Sequence, residues 1–126
     1  MKSKAISTDL APAAVGPYSQ AVTLGQFVFT SGTIGFRPDG SLAAEDVVGQ
    51  THQIFANLKE VLAASGSSFD KVVKATCFLT DMNDFAAFNE VYASYFTDFK
   101  PARSTVEVSR LPKDVLVEVE LIAYTG

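Results

Sequence analysis

The sequence is poor in the residues that build thiol and metal sites. Its 126 residues include one cysteine, Cys77, one histidine, His52, and no tryptophan. A lone cysteine cannot form a disulfide within the chain, and one cysteine with one histidine cannot supply a His/Cys metal site. We therefore expect no metal and no cofactor. Cys77 is interpreted as a small buried hydrophobic residue, and His52 as a solvated or rim residue of a helix.

Motifs for covalent catalysis and for phosphate binding are also missing. No G-x-S-x-G nucleophile elbow occurs, and any triad would need His52, far in the pattern from the strands of Ser31 and Cys77. Neither a G-x-G-x-x-G nor a Walker-type glycine pattern is present. The stretch SGTIG at 31–35 is instead typical of a strand end where glycine permits close backbone approach.

Long apolar runs and clustered positive charge are absent as well. The apolar runs are far shorter than the roughly 20 residues of a membrane-spanning helix. The net charge is -4 and the ten lysines and arginines are scattered, so the basic stripe of a nucleic-acid-binding protein is missing. No charged region followed by an apolar run opens the chain, which predicts a cytoplasmic location. The length predicts a single domain over residues 1–126.

The hydrophobic pattern that is present predicts six strands and two helices. The strands are expected at 4–7, at 20–36 as two strands meeting at Gly25, at 71–80, at 101–108 and at 115–124. The helices are expected at 46–65, with Gly66 placed to end the first, and after the capping sequence DMND at 81–84. The sequence RPDGS at 37–41 predicts a turn.

Several predicted strands are apolar on both faces. Phe27, Val28 and Phe29 follow one another, and so do Val115, Leu116 and Val117. Two helices can cover only one face of a sheet, so the other face must be buried against something else. In a chain of this length the simplest cover is another copy of itself. We therefore expect a homo-oligomer assembled through the sheet.

Three charged residues stand in these apolar strands. Arg103 begins one strand close to Pro101, while Glu118 and Glu120 alternate with apolar residues in the last. We expect these charges on the face left for the oligomer. Two interpretations remain open: Arg103 binds a carboxylate ligand through its planar guanidinium, or it forms a buried interface ion pair with Glu118 or Glu120.

The sequence resembles the RidA/YjgF family of enamine and imine deaminases over essentially its whole length. The resemblance is carried by APAAVGPYSQAV at 11–22, FTSGTIGF at 29–36, DMNDFAAFNEVYASYF at 81–96 and the highly specific PARSTVEVSRLPKDVLVEVELIA at 101–123. It implies an α+β, chorismate-mutase-like fold with a six-stranded mixed sheet and two helices on one face. It also implies a homotrimer around a central β-barrel, with three sites in the clefts between subunits.

The resemblance implies roles for particular residues. Arg103 is similar to the family arginine that holds the substrate carboxylate, and Glu118 to the acid that positions a water. Five positions resemble the residues that line the family's pocket: Tyr18, Ser31, Gly32, Ile34 and Asn89. Thr105, also expected to contact substrate, stands where many members have cysteine, so thiol chemistry is not expected. Glu120 has no catalytic counterpart.

The resemblance also implies a reaction. It is the hydrolysis of 2-imino acids, formed from enamines such as 2-aminoacrylate and 2-aminocrotonate, to 2-keto acids and ammonia, as control of metabolite damage without a metal. One alternative is a trimer that binds or senses 2-keto acids or similar small carboxylates without turning them over. A more distant one is an endoribonuclease or translation inhibitor, which the acidic charge disfavours. We expect no membrane partner.

Overall fold

A computed structural model of the chain describes residues 2–126. The strands are β1 (Ser3–Ile6), β2 (Ala21–Leu24), β3 (Phe27–Thr30), β4 (Val72–Leu79), β5 (Ala102–Glu107) and β6 (Val117–Tyr124), and the helices are α1 (Val47–Ala64) and α2 (Phe85–Tyr95). This is the predicted order of elements. Gly25 turns β2 into β3 with a φ of 58°, a conformation that glycine adopts without strain.

All six strands form one mixed sheet in the order β1-β2-β3-β6-β4-β5. Every neighbouring pair is antiparallel except β4 and β5, which are parallel and are joined through α2. A parallel pair needs such a crossover connection, and the helix packs back onto the sheet. The predicted α+β fold with a six-stranded mixed sheet is confirmed.

Strand β3 is shorter than predicted: strands were expected to continue to residue 36, but β3 ends at Thr30. Pairing as a strand stops with β3, and residues 31–36 form an irregular segment held to β6 by one isolated bridge, Thr33 to Val119. Gly35 explains part of this, since a Cβ there would lie 2.9 Å from the main chain of Gln50 on α1. The backbone turns inward against the helix instead of continuing along the sheet.

Both ends of α1 are capped, and Gly66 ends the helix as the sequence predicts. The Asp46 side chain accepts a hydrogen bond from the Gly49 N–H at 2.9 Å, which satisfies one free donor of the first turn. At the other end Gly66 takes a φ of 82° and its N–H donates to the Ala63 carbonyl. Asp46 and Gly66 are thus capping residues of the types that commonly begin and end helices.

The core lies between the two helices and one face of the sheet. Phe55 of α1 is fully buried and stacks on Tyr95 of α2, with ring centroids 4.6 Å apart. Cys77 is also buried there, as predicted, while His52 is exposed and its Nδ1 lies 2.8 Å from the Tyr95 hydroxyl. The core residues on the sheet are Ile6, Ala21, Val28, Val72, Ala75, Cys77, Leu79, Val117, Val119, Leu121 and Ala123.

The opposite face of the sheet is covered by neither helix. We call it the open face; its residues include Phe29, Lys74, Thr76, Phe78, Glu118, Glu120 and Ile122. Phe27 and Tyr124, paired at one end of the sheet, are 53% and 40% exposed, and Phe29 is 41% exposed. Aromatic surface of this kind on a sheet marks an interaction surface. The prediction that two helices cover only one face is confirmed.

Among residues 2–126, neither helix combines the length and hydrophobicity that crossing a bilayer requires.

Candidate active site

Arg103 lies on the helix-covered face of the sheet, so its predicted place on the open face was wrong. In the parallel pairing of β5 with β4, Arg103 stands opposite Ala75, which points into the core. Glu118 and Glu120 alternate with buried residues of β6 and do lie on the open face. Alternation within one strand cannot reveal this difference, because it depends on the register between strands. Within one chain, Arg103 therefore forms no ion pair with either glutamate.

Three side chains of α2 hold the Arg103 guanidinium in place. Its Nη1 donates to Asn89 Oδ1 at 2.6 Å, and its Cζ lies 4.6 Å from the ring centre of Tyr92 and 5.5 Å from that of Phe85. The spacing of Phe85, Asn89 and Tyr92 places all three on one side of the helix. The contacts restrict the rotamers of the arginine while leaving several N–H groups free.

The cleft beside Arg103 is suited to an anion. It is lined by Asn89, Tyr92, Ala93, Phe96, Lys100, Pro101 and Arg103. No carboxylate of residues 2–126 forms an ion pair with Arg103. A guanidinium with a fixed plane and free donors fits a carboxylate through two parallel hydrogen bonds. This half of the site offers donors and positive charge.

Thr105 lies on the same side of β5 as Arg103, opposite Cys77. The hydroxyls of Thr105 and Tyr92 are buried without a hydrogen-bond partner, and the Thr105 hydroxyl faces the thiol without good hydrogen-bond geometry. Burial raises the pKa of the Cys77 thiol to about 11, although the Arg103 charge opposes the shift. The thiol is therefore protonated and unreactive at neutral pH. Burial likewise raises the pKa of Tyr92 to about 12.

A second pocket surrounds Glu118. Its lining includes Tyr18, Gly32, Ile34 and Phe36 together with Pro112 and Lys113. The carboxylate packs directly on the backbone of Gly32, where an added Cβ would lie 2.8 Å from Glu118 Cδ. Burial, and secondarily the charge of Glu120, raise the pKa of the Glu118 carboxyl above its ordinary value. A carboxylate with a raised pKa is a better proton acceptor.

Ser31 can act toward a ligand only as an acceptor. Its hydroxyl lies 2.5 Å from the Ser19 carbonyl oxygen, which has no proton to donate, so the Ser31 proton is committed to that bond. The lone pairs of the hydroxyl remain available. Ser31 lines an adjoining pocket that shares Tyr18, Gly32 and Ile34 with the pocket around Glu118. The Ser31 hydroxyl and the Glu118 carboxylate thus place acceptors in this region, in contrast to the donors around Arg103.

The predicted site residues thus form two groups in one chain. We call them the glutamate group, with Tyr18, Ser31, Gly32, Ile34 and Glu118, and the arginine group, with Asn89, Arg103 and Thr105. The structure brings the members of each group together and keeps the two groups apart, with Arg103 on the helix-covered face of the sheet and Glu118 on the open face.

Sequence reasoning missed several residues of these pockets. Tyr92 and Phe85, whose rings lie against the Arg103 guanidinium, are not among the predicted site residues, although their helical spacing from Asn89 is a signal that they share its side. Lys113 was missed as well; its Nζ lies 4.6 Å from the ring centre of Phe36, and its φ of 57° is unusual for a residue with a side chain. No local pattern predicts that contact.

Comparison with known proteins decides the family. The sequence profile of the family described as Endoribonuclease L-PSP matches residues 8–125. The chain belongs to this family, the RidA/YjgF group. A RutC family protein of Pyrococcus horikoshii is 53% identical over 120 residues, covering 94% of this chain and 95% of the relative. The 2-iminobutanoate/2-iminopropanoate deaminase of Salmonella typhimurium is 49% identical, covering 96% and 97%.

Solved structures of RidA/YjgF proteins share the fold. The crystal structure of Escherichia coli TdcF with bound serine is 46% identical and superimposes with a TM-score of 0.92, covering 98% of this chain and 99% of that one. That relative therefore binds a small amino acid. The similarity extends over the strands and helices that carry both groups of site residues.

Proposed function

We propose that this RidA/YjgF protein is a 2-iminobutanoate/2-iminopropanoate deaminase, an enzyme that hydrolyses 2-imino acids to 2-keto acids and ammonia. The observation that carries the proposal is the guanidinium of Arg103, held by Asn89 and two aromatic rings and paired with no acid of the described chain. A 2-imino acid carries the carboxylate that such a group binds. The names of the deaminase relatives at 47% and 49% identity agree with this activity.

The complete site is proposed to form between subunits of a homotrimer. Arg103 and Glu118 lie on opposite faces of one sheet, so a single chain cannot place both around one small ligand. The exposed aromatic residues of the open face supply the surface through which copies would associate around a central barrel. In this arrangement the arginine group of one subunit faces the glutamate group of its neighbour.

The arginine group and the glutamate group would contact different parts of the ligand. Arg103 would bind the carboxylate and orient the imine carbon, while Asn89 holds the guanidinium plane. The imine nitrogen carries a proton to donate, and the Ser31 lone pairs are the acceptors that can receive it. Tyr18, Ile34 and Thr105 would complete the walls around the ligand. This division favours a ligand with a carboxylate at one end and an N–H beside it.

Hydrolysis then needs one base and one water. Glu118 accepts a proton from the water as its oxygen bonds to the imine carbon, and the electrons of the C=N bond move to nitrogen, which takes a proton. The product is a tetrahedral carbinolamine. The proton that completes its amino group comes back from Glu118. Glu118 then accepts the proton of the carbinolamine hydroxyl and passes it to the amino nitrogen, so the C–N bond breaks, ammonia leaves with the bonding electrons and the carbonyl of the 2-keto acid forms. The raised pKa of Glu118 suits it to accept and return the proton.

The test is a competition assay. An amino-acid oxidase generates the imino acid beside semicarbazide, and semicarbazone formation reports the imino acid that escapes hydrolysis. We expect the wild type to suppress semicarbazone and Arg103→Ala to lose activity about 30- to 1,000-fold, since a bidentate charged contact contributes roughly 2 to 4 kcal/mol. Arg110→Ala, which removes an exposed arginine paired with Asp114, is the matched control and should keep full activity. Wild-type turnover by Arg103→Ala would contradict the assignment.

A second candidate function is a trimer that binds 2-keto acids without turning them over. The serine-bound structure of TdcF supports it, because serine is not an imine. Saturable binding of 2-ketobutyrate, with no suppression of semicarbazone by the wild type, would favour it. Ribonuclease activity, for which the family Endoribonuclease L-PSP is named, ranks third because the net charge is -4. Salt-dependent RNA binding would be its signature.

A further inference from the structure

Helix α1 buries three polar side chains, and two of them reach out of the helix. Gln50, Thr51 and Asn57 are 2%, 0% and 1% exposed. The Thr51 hydroxyl donates to the carbonyl of Val47 in its own helix at 2.6 Å. Gln50 and Asn57 instead bond to backbone outside the helix. A buried amide is costly unless it is satisfied, so these outward bonds account for the presence of the two amides.

Asn57 fixes the irregular segment at residues 34–36. Its Nδ2 donates to the Phe36 carbonyl at 2.8 Å and to the Ile34 carbonyl at 3.3 Å. Its Oδ1 accepts a hydrogen bond from Gln53 Nε2 at 2.9 Å, which fixes the orientation of the amide. The Phe36 N–H also donates to the Ile34 carbonyl at 2.9 Å, so the segment makes a tight turn. Asn57 therefore holds the backbone that carries the Ile34 wall.

Gln50 fixes the approach to β6. Its Oε1 accepts a hydrogen bond from the Leu116 N–H at 2.9 Å, two residues before Glu118, and its Nε2 donates to the Ala44 carbonyl at 3.1 Å. The Gly35 backbone packs on Gln50, since a Cβ at Gly35 would lie 2.9 Å from Gln50 Cα. Gln50 thus contacts both backbone segments that flank the glutamate group, namely residues 31–36 and the chain just before β6.

The two segments meet at Gly32 and Glu118. Thr33 and Val119 exchange both backbone hydrogen bonds, at 2.9 and 3.1 Å, in an antiparallel bridge. The Glu118 side chain reaches diagonally across this bridge to the Gly32 backbone. Displacement of either segment would change the contact between the carboxylate and the Gly32 backbone. The bonds of Gln50 and Asn57 act on both segments from the same side, within the core.

We propose that Gln50 and Asn57 are positioning residues that set the place of the Glu118 carboxylate over Gly32. Neither amide lines the pocket around Glu118. Asn57 does line the adjoining pocket beside Ser31 and Ile34, but each amide acts on Glu118 through the backbone segment that it holds. This inference rests on the proposed function through the role of Glu118 as the base. A displacement of the order of 1 Å in such a group lowers turnover by about 100-fold.

The experiment compares Gln50→Met and Asn57→Leu with Thr51→Val. All three changes preserve approximate volume and remove buried hydrogen bonds from α1, but Thr51 has no bond outside the helix. We expect Gln50→Met and Asn57→Leu to lower kcat about 10- to 100-fold. Their dissociation constants for 2-ketobutyrate, which depend on Arg103, should stay within about threefold of the wild type. Thr51→Val should lose thermal stability while keeping kcat.

A second readout separates this inference from the proposed function. Carbon-13 NMR of the Glu118 carboxyl follows its titration without any substrate. In Gln50→Met and Asn57→Leu we expect the titration midpoint to move toward the ordinary value for glutamate, because the displaced carboxylate is less buried. Thr51→Val should titrate as the wild type does. A wild type without deaminase activity would remove the proposed function, but this comparison would still decide whether the amides position Glu118.

Two milder variants, Gln50→Glu and Gln53→Met, test the inference even if Gln50→Met or Asn57→Leu fails to fold. Gln50→Glu retains the acceptor for the Leu116 N–H and should recover part of the kcat lost in Gln50→Met. Gln53→Met removes only the half-buried partner of Asn57 and should lower kcat more than Thr51→Val does. The inference is wrong if the substitutions at positions 50, 53 and 57 reduce kcat no more than Thr51→Val and leave the Glu118 titration unchanged.

Discussion

At the residue scale, the Glu118 carboxyl is partly buried and lies near a second carboxylate, that of Glu120. Within residues 2–126 it forms no ion pair with a lysine or arginine. Burial favours the neutral form, so the folded protein binds the Glu118 proton more tightly than the unfolded chain does. The carboxyl that is proposed to serve as the base therefore has a cost in stability. A perturbed pKa that lowers stability is common for ionisable groups in active sites.

The first prediction concerns the pH dependence of that cost. Because the folded pKa of Glu118 is raised, its contribution favours folding at low pH and is lost as pH rises from the unfolded pKa through the folded one. Glu118→Gln should therefore be more stable than the wild type at pH 7, and the difference should vanish at low pH. Thermal unfolding across this range measures it, with Glu90→Gln, an exposed glutamate of α2, as the control. Equal melting temperatures at pH 7 would contradict the raised pKa.

Residue chemistry was the most predictable part of the site. Arg103 and Glu118 stand out because a charge in an apolar strand needs a partner or a ligand. The exposure of His52 and the burial of Cys77 also followed from their patterns. The face occupied by Arg103 did not, because the register of β5 against β4 is set by packing across the sheet. The direction of a side chain in a strand is known only after its neighbours are known.

At the element scale, α1 supports more of the site than its composition suggests. Its apolar side fills the core, while Gln50 and Asn57 on the same helix hold the backbone around the glutamate group. The apolar spacing predicted the helix, and Gly66 predicted where it ends. The sequence did not reveal what the buried amides bind, since their partners lie far along the chain in irregular segments.

The second prediction concerns the start of α1. Asp46→Ala removes the hydrogen bond from the Gly49 N–H and should lower the free energy of unfolding by about 1 kcal/mol, the usual effect of losing a helix N-cap. Chemical denaturation measures the change, and Glu45→Ala, at the exposed neighbouring residue, serves as the control. Because α1 holds the glutamate group, turnover should fall together with stability as temperature rises. An unchanged free energy of unfolding in Asp46→Ala would show that the cap contributes nothing.

The whole molecule is organised by a sheet with one face covered by helices and one face open. That division was predictable, because strands apolar on both sides cannot be satisfied by two helices. The irregular course of residues 31–36 was not, since it depends on glycine contacts with Gln50 and Glu118 that only the folded chain creates. The family resemblance supplied the assembly that the proposed function now requires.

The third prediction tests the sharing of sites between subunits. Arg103→Ala and Glu118→Gln should each be inactive alone. Refolded together in equal amounts, they should recover activity at about a quarter of the sites, because random assembly of a cyclic trimer pairs an intact arginine with an intact glutamate that often. The competition assay measures the recovery, and each variant refolded alone is the control. Mixed samples as inactive as the separate variants would show that both residues act within one chain.

The opposite placement of Arg103 and Glu118 has a consequence for how the protein behaves at different abundances. On the proposed assembly, a dissociated subunit carries two half-sites and no complete one. Activity per molecule would then fall on dilution below the concentration at which the subunits dissociate, and would rise steeply as the protein accumulates. Newly made chains would remain inert until they met partners, so expression level itself would decide when detoxification begins.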